Sequence, residues 1–170
     1  MNKKEKDQKE LLTELVLENK EKFYRLAYSY VKNENDALDI IQESIHKALK
    51  GIHTLENPQA LKSWFYRIVV TTSLDLLRKK KKEMIVDDDT LEFFIPKRND
   101  TYENVDLTRL LNDLPPKYRT VIILKFFEDL KIREIAEILN EKENTIKTRL
   151  YKGLKLMRLE MSDNSYLGGY

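Results

Sequence analysis

The sequence predicts an all-α protein: two small helical domains joined by a flexible linker. Three observations predict it. Apolar residues recur at three- and four-residue intervals through both ends of the chain, the period of a helix face. Charged residues make up 35% of the 170 residues while glycine and proline number 4 each, which favours long solvated helices over a turn-rich sheet protein. Between the two periodic blocks the pattern is lost around opposed charge runs, Lys79 to Lys82 and Asp87 to Asp89.

The elements follow in order. From Leu11 to about Val31, Leu12, Leu15, Val16, Phe23, Leu26, Ala27 and Tyr30 mark one helical stripe, which Asn33 and Asn35 interrupt. A second helix runs from about Asp36 to Lys50, with Leu38, Ile41, Ile45 and Leu49 as its apolar face and Gly51 placed to end it. Asn57-Pro58, a cap followed by proline at the first helical position, opens a third helix that continues to about Lys80. Its expected buried stripe is Leu61, Phe65, Ile68, Thr72 and Leu76. Residues 83–103 read as the linker, because Pro96, Asn99 and Asp100 follow the charge runs without periodicity. Leu91, Phe93, Phe94 and Ile95 are unusual in a free tether and suggest that it lies on a partner. Helices are then expected at about Val105–Asp113, Pro116–Phe127, Lys131–Leu139 and Glu143–Met161. The domains are accordingly 1–82 and 104–165.

Composition narrows the function. With no cysteine, disulfides and thiolate metal sites are excluded, and a reducing compartment fits. Met1 to Glu10 is charged throughout, unlike a signal peptide, and no apolar run is long enough to span a bilayer, so a cytoplasmic protein is expected. Net charge is only +2, so any binding to a polyanion must come from local clusters of cations.

One such cluster sits in a helix-turn-helix pattern. Ile132, Ile135, Ala136 and Leu139 share one face of a short helix, and Asn140 supplies a residue that tolerates the left-handed turn. The next helix is expected to bury Ile146, Leu150, Leu154 and Met157. Its other face carries Asn144, Lys147, Thr148, Tyr151, Lys152 and Lys155, with Arg149 flanking. A helix in the major groove needs hydrogen-bonding side chains near its start for base edges and cations around them for phosphates. Lys147 and Arg149 are the base-edge candidates; Lys142, Lys152 and Lys155 suit phosphates. A basic helix face alone is most often just solvated; the preceding helix and turn lift this one above that background.

The N-terminal half offers two more surfaces. Arg67, Thr71, Asp75 and Arg78 align along the third helix beside the basic run, with Trp64, Phe65 and Tyr66 near them. Core packing is the commoner fate of Trp64 and Phe65, and Tyr66 is the better candidate for stacking on an unpaired base. On the second helix Asp36, Asp39, Gln42 and Glu43 form an acidic ridge; most such ridges are merely solvated, but this one could dock a basic partner.

At this point the residues resemble a known family. Asp36-Ala37-Leu38-Asp39-Ile40-Ile41-Gln42-Glu43-Ser44 is similar to region 2.2 of the extracytoplasmic function (ECF) sigma factors of the sigma-70 family. Ser63-Trp64-Phe65-Tyr66-Arg67-Ile68, continued by Asp75-Leu76-Leu77-Arg78, is similar to regions 2.3 and 2.4. Leu114-Pro115-Pro116-Lys117-Tyr118-Arg119, Glu134 to Leu139 and Thr145 to Leu150 are similar to region 4. Three blocks in the right order cover nearly the whole chain, and within the family they resemble the sigma-V type of low-GC Gram-positive bacteria.

The resemblance implies a sigma region 2 three-helix domain and a sigma region 4 helix-turn-helix domain. It implies that Asp36, Asp39, Gln42 and Glu43 bind the clamp of the largest subunit of core RNA polymerase, with region 4 near the flap. It implies that Arg67, Thr71, Asp75 and Arg78, with the loop from Gly51 to Asn57, read the −10 element as it melts. It implies that Asn144, Lys147, Thr148, Arg149 and Lys152 read the −35 element as duplex. An anti-sigma factor, often membrane-anchored, is a further implied partner, and envelope or extracellular stress genes are the implied targets. No cofactor or metal is implied. Two departures stand out. The turn places that usually hold glycine, an apolar residue and a serine-like cap hold Asn140, Glu141 and Lys142, and Thr71 stands where relatives often carry asparagine.

The principal alternative is a helix-turn-helix regulator that works without being a polymerase subunit; it would need a sensing pocket or phosphoacceptor, and the N-terminal half shows neither. An enzyme is disfavoured. There is no P-loop, dinucleotide fingerprint or nucleophile elbow, and His46 and His53 have no paired ligand spacing.

Overall fold

In the computed structural model, residues 1–86 and 105–167 are described, with side chains described over 1–83 and 109–162. Seven α-helices occupy these residues, and no strand occurs among them. The chain divides into two compact units, Met1–Pro96 and Lys97–Tyr170, each with its own core. The reading of 83–103 as a linker falls largely outside the described residues, as do Leu91, Phe93, Phe94 and Ile95. Residues 83–86 are helical.

The first unit packs three helices against one another: α1 (Lys3–Val31), α2 (Glu34–Gly51) and α3 (Leu61–Val86). Helix α1 starts eight residues before the apolar stripe announced it. The early turns are held by Gln8, a buried polar side chain whose Nε2 donates to the Leu55 carbonyl at 2.8 Å. A kink falls at Asn19, whose backbone leaves helical dihedrals and whose Nδ2 donates to the Leu15 carbonyl at 2.9 Å. Helix α2 begins at an Asn33 cap that accepts from the Asp36 N–H. It does not end on a left-handed glycine. Gly51 stays right-handed and the chain runs into a 3₁₀ turn, Ile52–Thr54. A second 3₁₀ turn, Pro58–Ala60, capped by the Asn57 side chain, leads into α3.

The core is centred on Phe23 of α1, which meets Phe65 and Tyr66 of α3 edge-on at centroid distances of 4.7 and 4.8 Å. Helix α3 is buried over a wider arc than one stripe: Leu61, Phe65, Tyr66, Val69, Val70, Thr72 and Ser73 are all inside, while Ile68 and Leu76 are only half-buried. The buried face of α2 differs from the sequence expectation. Ala37, Ile40, Ser44 and Ala48 face the core, whereas Leu38 and Leu49 are 47% and 41% exposed and Ile41 and Ile45 half-buried. Small residues let α2 sit close against α1 and α3, so the larger side chains turn outward.

The second unit contains α4 (Val105–Asp113), α5 (Pro116–Ile122), α6 (Ile132–Leu139) and α7 (Glu143–Leu167). Leu110, Leu111, Leu114, Ile122 and Met157 form one core cluster, with Phe127 and Leu150 against it. Arg119 is buried beneath α4 and donates from its guanidinium to the carbonyls of Asn112 (3.2 Å) and Leu114 (2.9 Å), satisfying groups the helix end leaves open. After α5 the backbone widens into a π turn, Ile123–Phe127, which leaves Phe126 58% exposed.

Candidate functional site

The helix-turn-helix is built by α6, a tight turn and α7. Ile135, Ala136 and Ile138 of α6 and Ile146 of α7 are buried, with Ile132, Leu139 and Leu150 half-buried. Leu154, expected inside, is 39% exposed. Its place is taken by Gly153, where an added Cβ would lie 2.8 Å from Ile122 Cδ1 and 3.2 Å from Tyr118 Cβ. The missing side chain is what lets α5 and α7 approach. Helix α6 starts with the Glu134 carboxylate accepting from the Lys131 N–H at 2.7 Å. It ends on Asn140 in the left-handed conformation, φ 53°. Asn140 N–H donates to the Glu137 carbonyl and Glu141 N–H to the Ala136 carbonyl, the paired bonds of a Schellman turn. The turn is thus kept with asparagine in the place of glycine. Helix α7 begins at Glu143 without a serine-like residue before it.

On α7, Asn144, Lys147, Thr148 and Lys152 are exposed and Arg149 is half-buried. Five residues of α7 (Asn144, Thr145, Thr148, Arg149 and Lys152) line an open cleft of about 350 Å³ together with Lys117 and Tyr118 of α5. The Lys117 ammonium lies 4.9 Å from the centre of the Tyr118 ring. Three cations therefore border one cleft, and the sequence had not singled out Lys117 for this role. The signal was weak because Lys117 is more than twenty residues away in sequence. Thr148 donates its hydroxyl hydrogen to the Asn144 carbonyl at 2.9 Å, so its oxygen faces a ligand as an acceptor. The Arg149 guanidinium donates to Glu141 Oε1 at 3.0 Å.

In the first unit Arg67, Thr71, Asp75 and Arg78 are all exposed along one side of α3. Asp75 reaches Arg78 at 3.4 Å and Lys47 of α2 at 3.9 Å; pairs this exposed add little stability and are easily exchanged for a ligand. The expectation for Tyr66 is corrected: its ring is fully buried against Phe23 and cannot stack on a base. Trp64 is half-buried, and its ring faces the end of α2, where a Cβ added at Gly51 would lie 3.5 Å from it.

The acidic ridge of α2 splits in two. Asp39, Gln42 and Glu43 are exposed and line a groove of about 640 Å³ between α2 and α3, which Lys47, Thr72, Asp75 and Lys79 also border. Asp36 instead forms an ion pair with Lys80 of the basic run. The groove thus joins residues assigned from sequence to two separate surfaces. Beyond Gln42 lie the outward apolar side chains of α2. Leu38 and Ile41 continue into a second groove with Tyr24 and Tyr28 of α1, bordered by Lys20, Glu21 and Arg25. Burial, and then the Glu34 charge, push the Tyr24 phenol above its ordinary pKa.

No group of three or more potential metal-binding side chains occurs among the described residues, and none of the described helices is long and apolar enough to cross a membrane.

Comparison with known proteins places both units. Residues 15–83 match the Sigma-70 region 2 family, and residues 104–157 match Sigma-70, region 4. The chain is 54% identical to RNA polymerase sigma factor SigV of Bacillus subtilis, over 94% of this chain and 96% of that protein. It is 30% identical to the ECF RNA polymerase sigma factor SigW of the same organism, over 85% of each. Among solved structures, the sigma factor RpoE of Bartonella quintana, crystallised with the anti-sigma factor NepR, aligns with a TM-score of 0.76 at 21% identity, covering 88% of this chain and 96% of that one. CnrH, solved with the cytosolic domain of CnrY, aligns with a TM-score of 0.68 at 18% identity, over 91% and 89%. At these identities the two structures speak for the fold.

Proposed function

We infer the function from one premise: the chain belongs to the ECF group of the sigma-70 family of RNA polymerase sigma factors. On that premise it binds core RNA polymerase, directs it to promoters and helps to open them, and performs no covalent chemistry of its own. Residues 1–82 serve polymerase binding and the −10 element, 83–103 the linker, and 104–165 the −35 element.

The observation that carries this assignment is the cleft on α7. Hydrogen-bonding side chains at the start of the helix are bordered by Lys117, Arg149 and Lys152, which suits duplex DNA gripped through its phosphates and read at base edges. Asn144, Lys147, Thr148, Arg149 and Lys152 are the proposed −35 residues. Arg67, Thr71, Asp75 and Arg78 are the proposed −10 residues, supported by their shared exposure. Trp64 replaces Tyr66 as the aromatic group near them. For polymerase docking, Asp39, Gln42 and Glu43 are supported by exposure and by the outward Leu38 and Leu49 on the same helix, since exposed apolar side chains beside a polar ridge mark a contact surface better than charge alone. Asp36 contributes after exchanging Lys80 for the partner.

Opening then follows from binding. A base bound outside the stack offsets the few kcal/mol that unstacking costs, so affinity for the unpaired strand shifts the duplex toward the open state. The solved neighbours were captured with an anti-sigma factor or a partner's cytosolic domain, which supports an anti-sigma partner for this chain. A cytoplasmic location and control of envelope or extracellular stress genes complete the proposal.

In vitro transcription with core bacterial polymerase on a promoter library tests it. New start points should require the chain; identical start points with and without it overturn the proposal. Arg149→Ala should weaken −35 recognition and spare polymerase binding in a pull-down. Equal loss of both means that α7 has another role.

A further inference from the structure

The turn between α6 and α7 contains an acidic residue where such turns usually place an apolar one. Glu141 is the second residue past the end of α6, and a side chain at that place commonly packs back on the helix it follows. A glutamate gains nothing from such packing. Glu141 instead reaches forward eight residues and pairs with Arg149, which lines the cleft of α7. Its support is rigid, because its own N–H is bonded to the Ala136 carbonyl at 3.0 Å and Asn140 before it is fixed in the left-handed conformation. The pair is also partly sheltered, with side-chain exposures of 25% for Arg149 and 38% for Glu141.

A carboxylate is a poor neighbour for DNA phosphates, and its presence here weakens attraction for any duplex. It has a compensating effect. A long arginine samples many rotamers, and ordering it on binding reduces the free energy left for recognition. A guanidinium already held at one terminal nitrogen samples fewer orientations and keeps its other N–H donors, in their planar fork, for the two acceptors of a guanine edge.

We propose that Glu141 is a positioning residue that aims Arg149 at one base pair of the upstream duplex, giving up general DNA affinity for sequence discrimination. The inference rests on the assignment of α7 to the −35 element.

The test uses polymerase assembled from core enzyme and the full chain. Initiation is measured on a cognate promoter and on templates with each −35 base pair substituted in turn. Arg149→Ala should abolish discrimination at one base pair. Glu141→Gln should raise initiation on the substituted templates and lower the discrimination at that same pair by about threefold or more. The Glu141→Gln, Arg149→Ala double variant should match Arg149→Ala alone. Glu141→Leu restores the apolar residue the turn commonly carries. It should keep the thermal midpoint but not the discrimination, which a purely structural glutamate would allow it to keep.

Unchanged base ratios in Glu141→Gln, additive effects in the double variant, or rescue by Glu141→Leu each overturn the proposal. So does a silent Arg149→Ala. If the parent chain still selects start points, only this inference falls; if it selects none, the assignment of function falls with it.

Discussion

Single residues decide how closely helices meet, and Gly153 is the clearest case. A methyl group at 153 would need Ile122 Cδ1 to swing aside, which is inexpensive, and would press on Tyr118 Cβ, which is not free to move. Glycine-to-alanine in a helix is worth up to about 1 kcal/mol in propensity, so Gly153→Ala should be close to neutral. Gly153→Val adds bulk with no such gain and should cost about 1–3 kcal/mol from overpacking. The denaturation midpoint of the variant checks this; an unchanged midpoint would mean that α5 and α7 are not held as close as described. Phe23 is the corresponding anchor of the other unit. It is fully buried and meets two aromatic rings, so Phe23→Ala should cost about 3–5 kcal/mol, read from the same measurement. The aromatic cluster also shows where residue-level reading stops. Tyr66 looks like a stacking residue by type, but its neighbours Phe23 and Phe65 are set by how α1 and α3 cross, which spacing along one helix does not reveal.

At the scale of elements, helix existence was legible and helix orientation was not. Asn140 could be read as a turn because its side chain tolerates positive φ, and α6 does end there. Asn140→Gly should therefore leave stability unchanged or raise it slightly, whereas Asn140→Val should cost about 1–2 kcal/mol, because a β-branched residue pays the full left-handed penalty. Thermal unfolding of the two variants separates them, and equal melting would show that the turn tolerates a right-handed alternative. Helix α2 is the instructive miss. Leu38, Ile41, Ile45 and Leu49 repeat like a core face, yet the core takes Ala37, Ile40, Ser44 and Ala48. Hydrophobic periodicity identifies a face that avoids water; it does not say whether the cover is the same chain or a partner. The acidic ridge was similarly half legible. Asp39, Gln42 and Glu43 could be placed outward from spacing, but the pairing of Asp36 with Lys80 depends on a residue 44 positions later.

At the scale of the whole molecule, the weak net charge and the division into two units fix how DNA binding must behave. A charge of +2 gives no long-range pull, so on the proposed assignment affinity rests on a few local cations: Lys117, Arg149 and Lys152 around the cleft, and the exposed Lys147. Each unit alone offers a small contact. Two weak contacts become one strong one only when their separation matches the spacing of the two sites, and a polymerase that binds both units fixes that separation. The free chain should therefore bind promoter DNA weakly and with little sequence preference in a gel shift at moderate salt. Addition of core polymerase should bring specific binding. With polymerase present, Lys152→Ala should weaken binding to all promoters alike and reduce the slope of log affinity against log salt by about 1, the signature of one lost phosphate contact. A change confined to particular −35 sequences would instead place Lys152 on a base edge. Tight, specific binding by the free chain would mean that the two units hold their own spacing, and polymerase would then be a passenger on a complex the chain had already chosen.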